Sequence, residues 1–197
     1  NKKKMLSLKE SLKILKETNA VIEGHFILSS GLHSSKYVQC AQLMSKPSQA
    51  LKICESLAEK IKMELDEFDL ILSPAMGGII VGYELGKLLN KETIFSERVN
   101  GEFKLRRDFK IKNGSKVLIV EDVITTGGSA VEVINLLKET YKVNVIGASS
   151  IIDRSNGSAK FPVEYKSLAK IDIEVYKPEN CPLCKKGIPI DKPGSRK

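Results

Sequence analysis

The sequence predicts an α/β protein whose central sheet is mainly parallel and is flanked by helices. From residue 69 onward, short apolar runs rich in Val, Ile and Leu alternate with longer segments of helical periodicity. That alternation is typical of parallel strands joined by helices. The chain has 197 residues, of which 42% are hydrophobic, so its length suits one domain with a full core.

The N-terminal part of the chain precedes this alternation and predicts different elements. Leu8, Leu12 and Leu15 recur at helical spacing, which favours an amphipathic helix over residues 5–18. Residues 24–39 form short extended pieces separated by Ser and Gly, so we expect a hairpin, called the hood below, outside the main sheet. Pro47 suits the first turn of a further helix, because that position needs no backbone N–H donor.

The rest of the chain completes a single domain. We expect a hood region over about 1–45, which contains the hood hairpin and also includes the C-terminal strands, a core over about 46–155 and a peripheral tail over about 177–197. The expected core elements are a strand over 69–73, a helix over 78–89, strands over 93–96 and 116–120, a helix over 128–140 and a strand over 144–151. Two further strands are expected over 163–168 and 171–176.

The hydropathy and the net charge indicate where the protein is located and which kinds of partner it binds. No apolar run approaches the roughly 20 residues of a membrane span, and no signal peptide precedes the first helix, so we expect a cytoplasmic protein without a membrane partner. The net charge of +8 favours anionic partners, either polyphosphate metabolites or nucleic acid. Residues 97–113 are polar and rich in Lys and Arg; we expect one long loop there, either a functional lid or a solvated segment.

The cysteines leave one question open. Cys40, Cys54, Cys181 and Cys184 are expected to be reduced thiols, because a chain of this size needs no disulfide. The Cys181-Pro-Leu-Cys184 pair has the spacing of half a zinc site, but no second pair at ligand spacing accompanies it and the two histidines lie far upstream. A plain turn in the tail is the alternative, and no metal ligand is assigned.

The most informative segment runs from Val117 to Ser129. Four apolar residues predict a buried strand, two acids follow, and a Thr-Thr-Gly-Gly-Ser turn opens the next helix. Such a turn surrounds a phosphate with N–H and O–H groups, and the helix start favours its negative charge. Adjacent carboxylates can accept hydrogen bonds from vicinal ribose hydroxyls and help to hold a divalent cation. The alternative is an ordinary helix cap at Thr126 or Ser129 with solvated acids beside it.

This segment resembles the signature of the type I phosphoribosyltransferases, which bind phosphoribosyl pyrophosphate (PRPP). The resemblance implies the type I phosphoribosyltransferase fold, Mg2+ as the cofactor and PRPP as the sugar donor. The residues that it implies for PRPP binding are Glu121, Asp122, Val123, Ile124, Thr125, Thr126, Gly127, Gly128 and Ser129.

Other segments indicate the acceptor. Residues 23–37 resemble the hood of the orotate phosphoribosyltransferases, except that Ser29 stands where many members carry a Lys. Residues 97–109 resemble the mobile catalytic loop of one branch, which reaches into the partner's site in a homodimer. The Asp153-Arg154 pair follows a strand, where an Arg fork suits a carboxylate such as that of orotate; a surface ion pair is the alternative.

The resemblance implies a role for each of these segments. Catalysis is expected from Arg98, Lys104, Arg106, Arg107 and Asp122; pyrophosphate binding from the turn Ala75, Met76, Gly77 and Gly78; and orotate binding from Thr125, Arg154 and Tyr37. The turn of small residues at 75–78 is also compatible with a purely structural bend. The expected activity makes orotidine 5'-phosphate from PRPP and orotate in pyrimidine biosynthesis.

Two alternatives remain. One is a phosphoribosyltransferase that acts on a purine or on xanthine. The other is a transcriptional regulator that senses PRPP and uses its basic surface to bind DNA. About twenty residues precede the hood, fewer than a DNA-reading domain needs, so no nucleic-acid partner is expected.

Overall fold

The computed structural model describes residues 5–193, which form two sheets and the helices packed on them. The strands are β1 (Val21–Ile27), β2 (His33–Val38), β3 (Leu70–Pro74), β4 (Glu92–Val99), β5 (Glu102–Leu105), β6 (Lys116–Ile124), β7 (Asn144–Asp153), β8 (Glu164–Lys170) and β9 (Val175–Tyr176). The helices are α1 (Leu8–Glu17), α2 (Ala41–Met44), α3 (Pro47–Glu64), α4 (Gly78–Leu89), α5 (Gly128–Leu136) and α6 (Pro182–Lys185). A π-helical turn (Leu137–Tyr141) follows α5, and a 3-10 turn (Pro178–Asn180) precedes α6.

The larger sheet has six strands in the order β5-β4-β3-β6-β7-β8. Every pairing in it is parallel except that of β5 with β4. The expected fold class, a mainly parallel sheet flanked by helices, is therefore confirmed. The carboxyl ends of β3 and β6 lie at the same edge of this sheet, which is where ligands bind in open α/β folds.

Alternate side chains of the central strands pack into two separate hydrophobic cores, one on each face of the sheet. Ile71 and Leu118 belong to the core that also includes the buried side chains of α1, α3 and α4. Leu72 and Ile119 belong to the core on the other face, which is built around Val133 and its neighbours on α5. Both faces of the sheet are covered, which explains why the strands are continuous apolar runs.

The prediction of one long polar loop over residues 97–113 is wrong for the first part of this segment. Strand β4 continues to Val99, and β5 pairs with it in an antiparallel hairpin in which Arg98 lies opposite Phe103. The connecting residues Asn100 and Gly101 both have positive φ, as a two-residue hairpin turn requires. Phe103 is 5% exposed and packs into the core beside α5, so burial of this ring anchors the hairpin.

The hood is a hairpin of β1 and β2, as expected, and β9 extends it to three strands. The two predicted C-terminal strands separate: β8 joins the large sheet next to β7, whereas β9 pairs with β2. The tail is held against the hood, because Asp191 donates its N–H to the carbonyl of His25 and accepts the N–H of Ile27. Within residues 5–193, no helix is long and apolar enough to cross a membrane.

Candidate active site

A pocket of about 190 Å³ opens at the carboxyl edge of the large sheet, between β3 and β6. It brings together the two turns singled out by the sequence. Its lining residues are Pro74, Ala75, Gly77, Glu121, Val123, Ile124, Thr125, Thr126, Gly127, Gly128, Ser129 and Ala130. The turn after β6 is thus open to a ligand, and the alternative of an ordinary helix cap does not describe it.

The turn between β6 and α5 is shaped for an anion. Gly127 has φ +86°, a conformation that favours glycine, and a Cβ at this position would lie 3.1 Å from Phe161 Cζ, a tight contact that the ring would have to relieve. The Oγ of Thr126 accepts the N–H of Gly128 at 3.1 Å, which fixes the bend. The first N–H groups of a helix have no partner within the helix, so the start of α5 offers donors and a favourable field to a negatively charged group.

Two carboxylates stand beside this turn. Glu121 lines the pocket and is 9% exposed, and Asp122 follows it on β6. Burial, together with the nearby charge of Asp122, raises the pKa of Glu121 to about 8. Burial also raises the pKa of Asp122, although the backbone N–H of Val123, which donates to its Oδ1 at 2.8 Å, acts in the opposite direction. Burial thus favours the protonated forms of both acids, and a cation or hydrogen-bond donors that enter the pocket would favour their charged forms.

The turn after β3 forms the opposite wall. The N–H of Ala75 donates to the carbonyl of Ser96 at 2.7 Å, which ties the turn to β4. The peptide bond between Ala75 and Met76 is cis. A Cβ at Gly77 would lie 2.4 Å from Asp122 Oδ2, and one at Gly78 would lie 2.9 Å from the carbonyl of Val120. These glycines let the turn approach the acid pair more closely than any other residue would allow.

A second pocket, of about 400 Å³, lies between the hood and the same edge of the sheet. It brings together all three residues that the resemblance implied for orotate binding. Its lining residues are Ile27, Leu28, Ser29, Ser30, Tyr37, Val38, Thr125, Arg154, Lys192 and Pro193. Thr125 also lines the first pocket, so the two pockets adjoin at this residue.

Arg154 is the principal charge of the second pocket. Its Nε is buried without a hydrogen-bond partner among the described residues, and burial lowers the pKa of its guanidinium. Among the ion pairs of the described residues there is none between Arg154 and Asp153, whose Oδ1 accepts the N–H of Ser155 at 2.8 Å. Lys192 supplies a second cation that the sequence reasoning missed. Its position near the end of the described tail gave no signal of a contact with residues 27–38.

The bases of residues 98–107 do not line either pocket within this chain. Arg98 pairs with Glu132 of α5 at 3.1 Å and donates to the carbonyl of Gly101. Arg107 donates to both carboxylate oxygens of Glu97, at 2.8 and 2.9 Å, and Arg106 lies 3.9 Å from the same carboxylate. Hydrogen bonding to Arg107 lowers the pKa of Glu97. These residues are held on or next to the hairpin in their own chain; their action in the site of a partner subunit stays a prediction.

Comparisons with known proteins agree with this geometry. The family model described as "Phosphoribosyl transferase domain" matches residues 45–179. The orotate phosphoribosyltransferase of Thermotoga maritima is 54% identical over 183 residues, which cover 93% of this chain and 96% of that protein. The orotate phosphoribosyltransferase of Caldicellulosiruptor bescii is 50% identical over 186 residues, covering 94% and 96%.

A solved structure has the same architecture. The crystal structure of orotate phosphoribosyltransferase from Aeropyrum pernix superposes with a TM-score of 0.67 at 26% identity, and the match covers 81% of this chain and 92% of that one. The family model spans most of the chain, and the relatives match it almost from end to end. The chain therefore belongs to the phosphoribosyltransferase family and, within it, to the orotate phosphoribosyltransferases.

Proposed function

We propose that this chain transfers the 5-phosphoribosyl group of PRPP to orotate, giving orotidine 5'-phosphate and pyrophosphate in pyrimidine biosynthesis. One observation carries the proposal: Thr125 lines both an anion pocket beside two carboxylates and a pocket that contains a buried, unpaired guanidinium nitrogen. A phosphorylated sugar and a planar carboxylate would then lie next to each other. This is the arrangement that transfer between them requires.

The turn Thr125 to Ser129 would bind the 5'-phosphate, because its backbone donors and the start of α5 face the pocket. Glu121 and Asp122 would accept hydrogen bonds from the ribose hydroxyls. The turn over residues 75–78 would contact the pyrophosphate, since Ala75 and Gly77 line the opposite wall. Arg154 would donate two hydrogen bonds to the orotate carboxylate, with Tyr37 and Thr125 completing that pocket.

The reaction breaks the bond between ribose C1 and pyrophosphate and forms a bond to a ring nitrogen of orotate. Positive charge develops on the sugar while negative charge collects on the leaving pyrophosphate. The chain's contribution is to hold the two reactants in line and to place donors and cations around the leaving group. In the proposed complex Glu121 and Asp122 would lie beside the ribose, and their ionised forms would also favour the developing cation.

Mg2+ fits the residues present at this site. It prefers oxygen ligands, usually a few carboxylates together with phosphate oxygens and water. Glu121 lines the pocket, and Asp122 lies next to Gly77, which lines it too. When bound, the ion would neutralise charge on the pyrophosphate. We propose that these two residues help to hold it.

We further propose a homodimer in which residues 98–107 complete the partner's site. Met76, Ile80 and Tyr83 are 84%, 56% and 67% exposed; Met76 lies in the turn before α4, and Ile80 and Tyr83 lie in the first half of that helix. Exposed apolar side chains grouped in this way are typical of a protein interface. The interface would lie next to the turn over residues 75–78, from which Arg98, Lys104, Arg106 and Arg107 of a second copy could reach the pyrophosphate.

The decisive experiment measures pyrophosphate release by the purified chain with PRPP and Mg2+. We expect release with orotate, accompanied by the absorbance change of its ring, and no release with adenine, hypoxanthine or xanthine. Release with a purine alone would assign the chain to a different acceptor. The absence of release with every acceptor, together with salt-sensitive DNA binding, would favour the regulator instead.

A further inference from the structure

Four potential metal ligands converge where the hood meets the tail. They are His25 on β1, His33 on β2, and Cys181 and Cys184 at α6. Their ligand atoms all lie within 4.8 Å of one another. Residues 156 positions apart in sequence thus meet at one point, which explains why the Cys-Pro-Leu-Cys motif seemed to lack its other half.

The distances match a tetrahedral site. With Zn–N bonds of about 2.0 Å and Zn–S bonds of about 2.3 Å, tetrahedral ligands lie about 3.3 Å apart for two nitrogens and about 3.5 Å apart for nitrogen and sulfur. His25 Nε2 lies 3.1 Å from His33 Nδ1, 3.5 Å from Cys181 Sγ and 3.6 Å from Cys184 Sγ. Cys184 Sγ lies 3.3 Å from His33 Nδ1. The other two pairs, His33 with Cys181 and Cys181 with Cys184, lie within 4.8 Å, so a single ion can contact all four atoms once the most distant pair moves closer.

Neighbouring groups orient the four side chains toward a common point where a metal ion could bind. The Nδ1 of His25 lies 2.8 Å from the carbonyl of Ile188, so this nitrogen donates and the lone pair of Nε2 faces the cluster. Such a hydrogen bond to a backbone carbonyl commonly orients metal-binding histidines. The bulge between Glu23 and Phe26 on β1 allows His25 to point toward the tail. His25, His33 and Cys181 are at most 5% exposed, and Cys184 is the more exposed fourth member.

We propose that these four residues bind one structural Zn2+ ion. Two thiolates and two imidazoles in tetrahedral positions select Zn2+ over Mg2+ or Ca2+, which prefer oxygen. Binding releases the protons of the two thiols to solvent and leaves no coordination position for substrate, as in closed structural sites. The site is separate from the PRPP pocket, none of whose lining residues belongs to the cluster.

The ion would connect the tail to the pocket for orotate. The hood strands carry two ligands and α6 carries the other two, and Asp191 then pairs with β1 just beyond the cluster. Lys192 and Pro193 follow immediately and line the pocket that contains Arg154. Zn2+ would therefore fix the segment that delivers Lys192, and its loss would loosen one wall of that pocket.

The test uses the full chain without an affinity tag, washed with EDTA and analysed by elemental mass spectrometry. We expect about one Zn2+ per chain to be retained. After stronger chelation, added Co2+ should give the intense visible bands of a tetrahedral ion and the near-ultraviolet charge transfer of thiolate ligands. Both measurements are independent of catalysis, so their result stands whether or not the chain acts on orotate.

Variants identify the ligands. Cys184→Ser and His33→Asn should each weaken Zn2+ binding at least about tenfold in competition with a chromophoric chelator, whereas Cys54→Ala, which alters a cysteine outside the cluster, should leave it unchanged. A wild-type chain that retains no Zn2+ and gives no tetrahedral Co2+ spectrum would overturn the proposal. A Cys181–Cys184 disulfide in the freshly purified chain would also overturn it. If the variants do not fold, the Co2+ spectrum of the wild type decides.

Discussion

Replacing Arg154 with Ala tests the assignment of the second pocket. The guanidinium is half-buried, and its Nε has no partner in the described chain, so it is available to a ligand carboxylate. Hydrogen bonds to charged groups contribute about 1.5–3 kcal/mol each. If the bidentate pair contributes about 3 kcal/mol to binding, then at about 1.4 kcal/mol per factor of ten the KM for orotate should rise on the order of 100-fold.

The assay is steady-state kinetics with each substrate varied in turn. The KM for PRPP should change little, because Arg154 does not line the first pocket. Arg154→Lys keeps the charge but loses the fork, so its KM for orotate should fall between those of the wild type and the Ala variant. Lys160→Ala, which removes an exposed cation that lines neither pocket, is the control for net charge. An equal rise in both KM values for Arg154→Ala would refute the reasoning.

Three further predictions concern the PRPP pocket and the dimer. If residues 98–107 act across subunits, the Arg107→Ala and Asp122→Asn variants should each be nearly inactive alone. Refolding the two variants together should restore about a quarter of wild-type activity, because half of the dimers then contain one intact site out of two. No recovery of activity would argue for action within one chain. Because the pKa of Glu121 is raised from 4.5 to about 8, the folded state keeps a proton that the unfolded chain loses, so stability falls as pH rises through this window. The Tm of ligand-free Glu121→Gln minus that of the wild type should therefore increase from pH 5 to pH 8 in thermal unfolding measurements. The exposed Glu92→Gln variant is the control. A Tm difference that does not change with pH would contradict the burial argument. Gly127→Ala should lower the free energy of unfolding by about 1–2 kcal/mol, because a side chain is disfavoured at positive φ, and should raise the KM for PRPP. An unchanged Tm and KM would show that the turn tolerates a Cβ.

Sequence reasoning was most successful where a feature is local. The strand, acid pair and glycine turn over residues 117–129 form a continuous motif, and the structure places all but Asp122 of the predicted PRPP residues around one pocket. The helix expected over residues 78–89 has the same bounds in the structure. In both cases neighbouring residues determine the conformation, so the pattern along the chain is sufficient.

Features that depend on distant contacts could not be predicted in this way. The hairpin of β4 and β5 was missed because its polar residues hide the alternation, although Asn100-Gly101 was a usable turn signal. The histidine and cysteine cluster joins segments more than 150 residues apart. The pairing of β9 with β2 and of Asp191 with β1 helps to bring them together. The same pairings carry Lys192 to its pocket.

The double hydrogen bond between Arg107 and Glu97 has a consequence for turnover. If Arg107 binds pyrophosphate as proposed, this carboxylate would compete with it for the same guanidinium, and the affinity for pyrophosphate would be lower than a free arginine would give. The competition also gives the arginine another partner when pyrophosphate leaves. Glu97→Gln should thus strengthen product inhibition by pyrophosphate and slow its departure, and an unchanged inhibition constant would mean that Arg107 never exchanges one anion for the other.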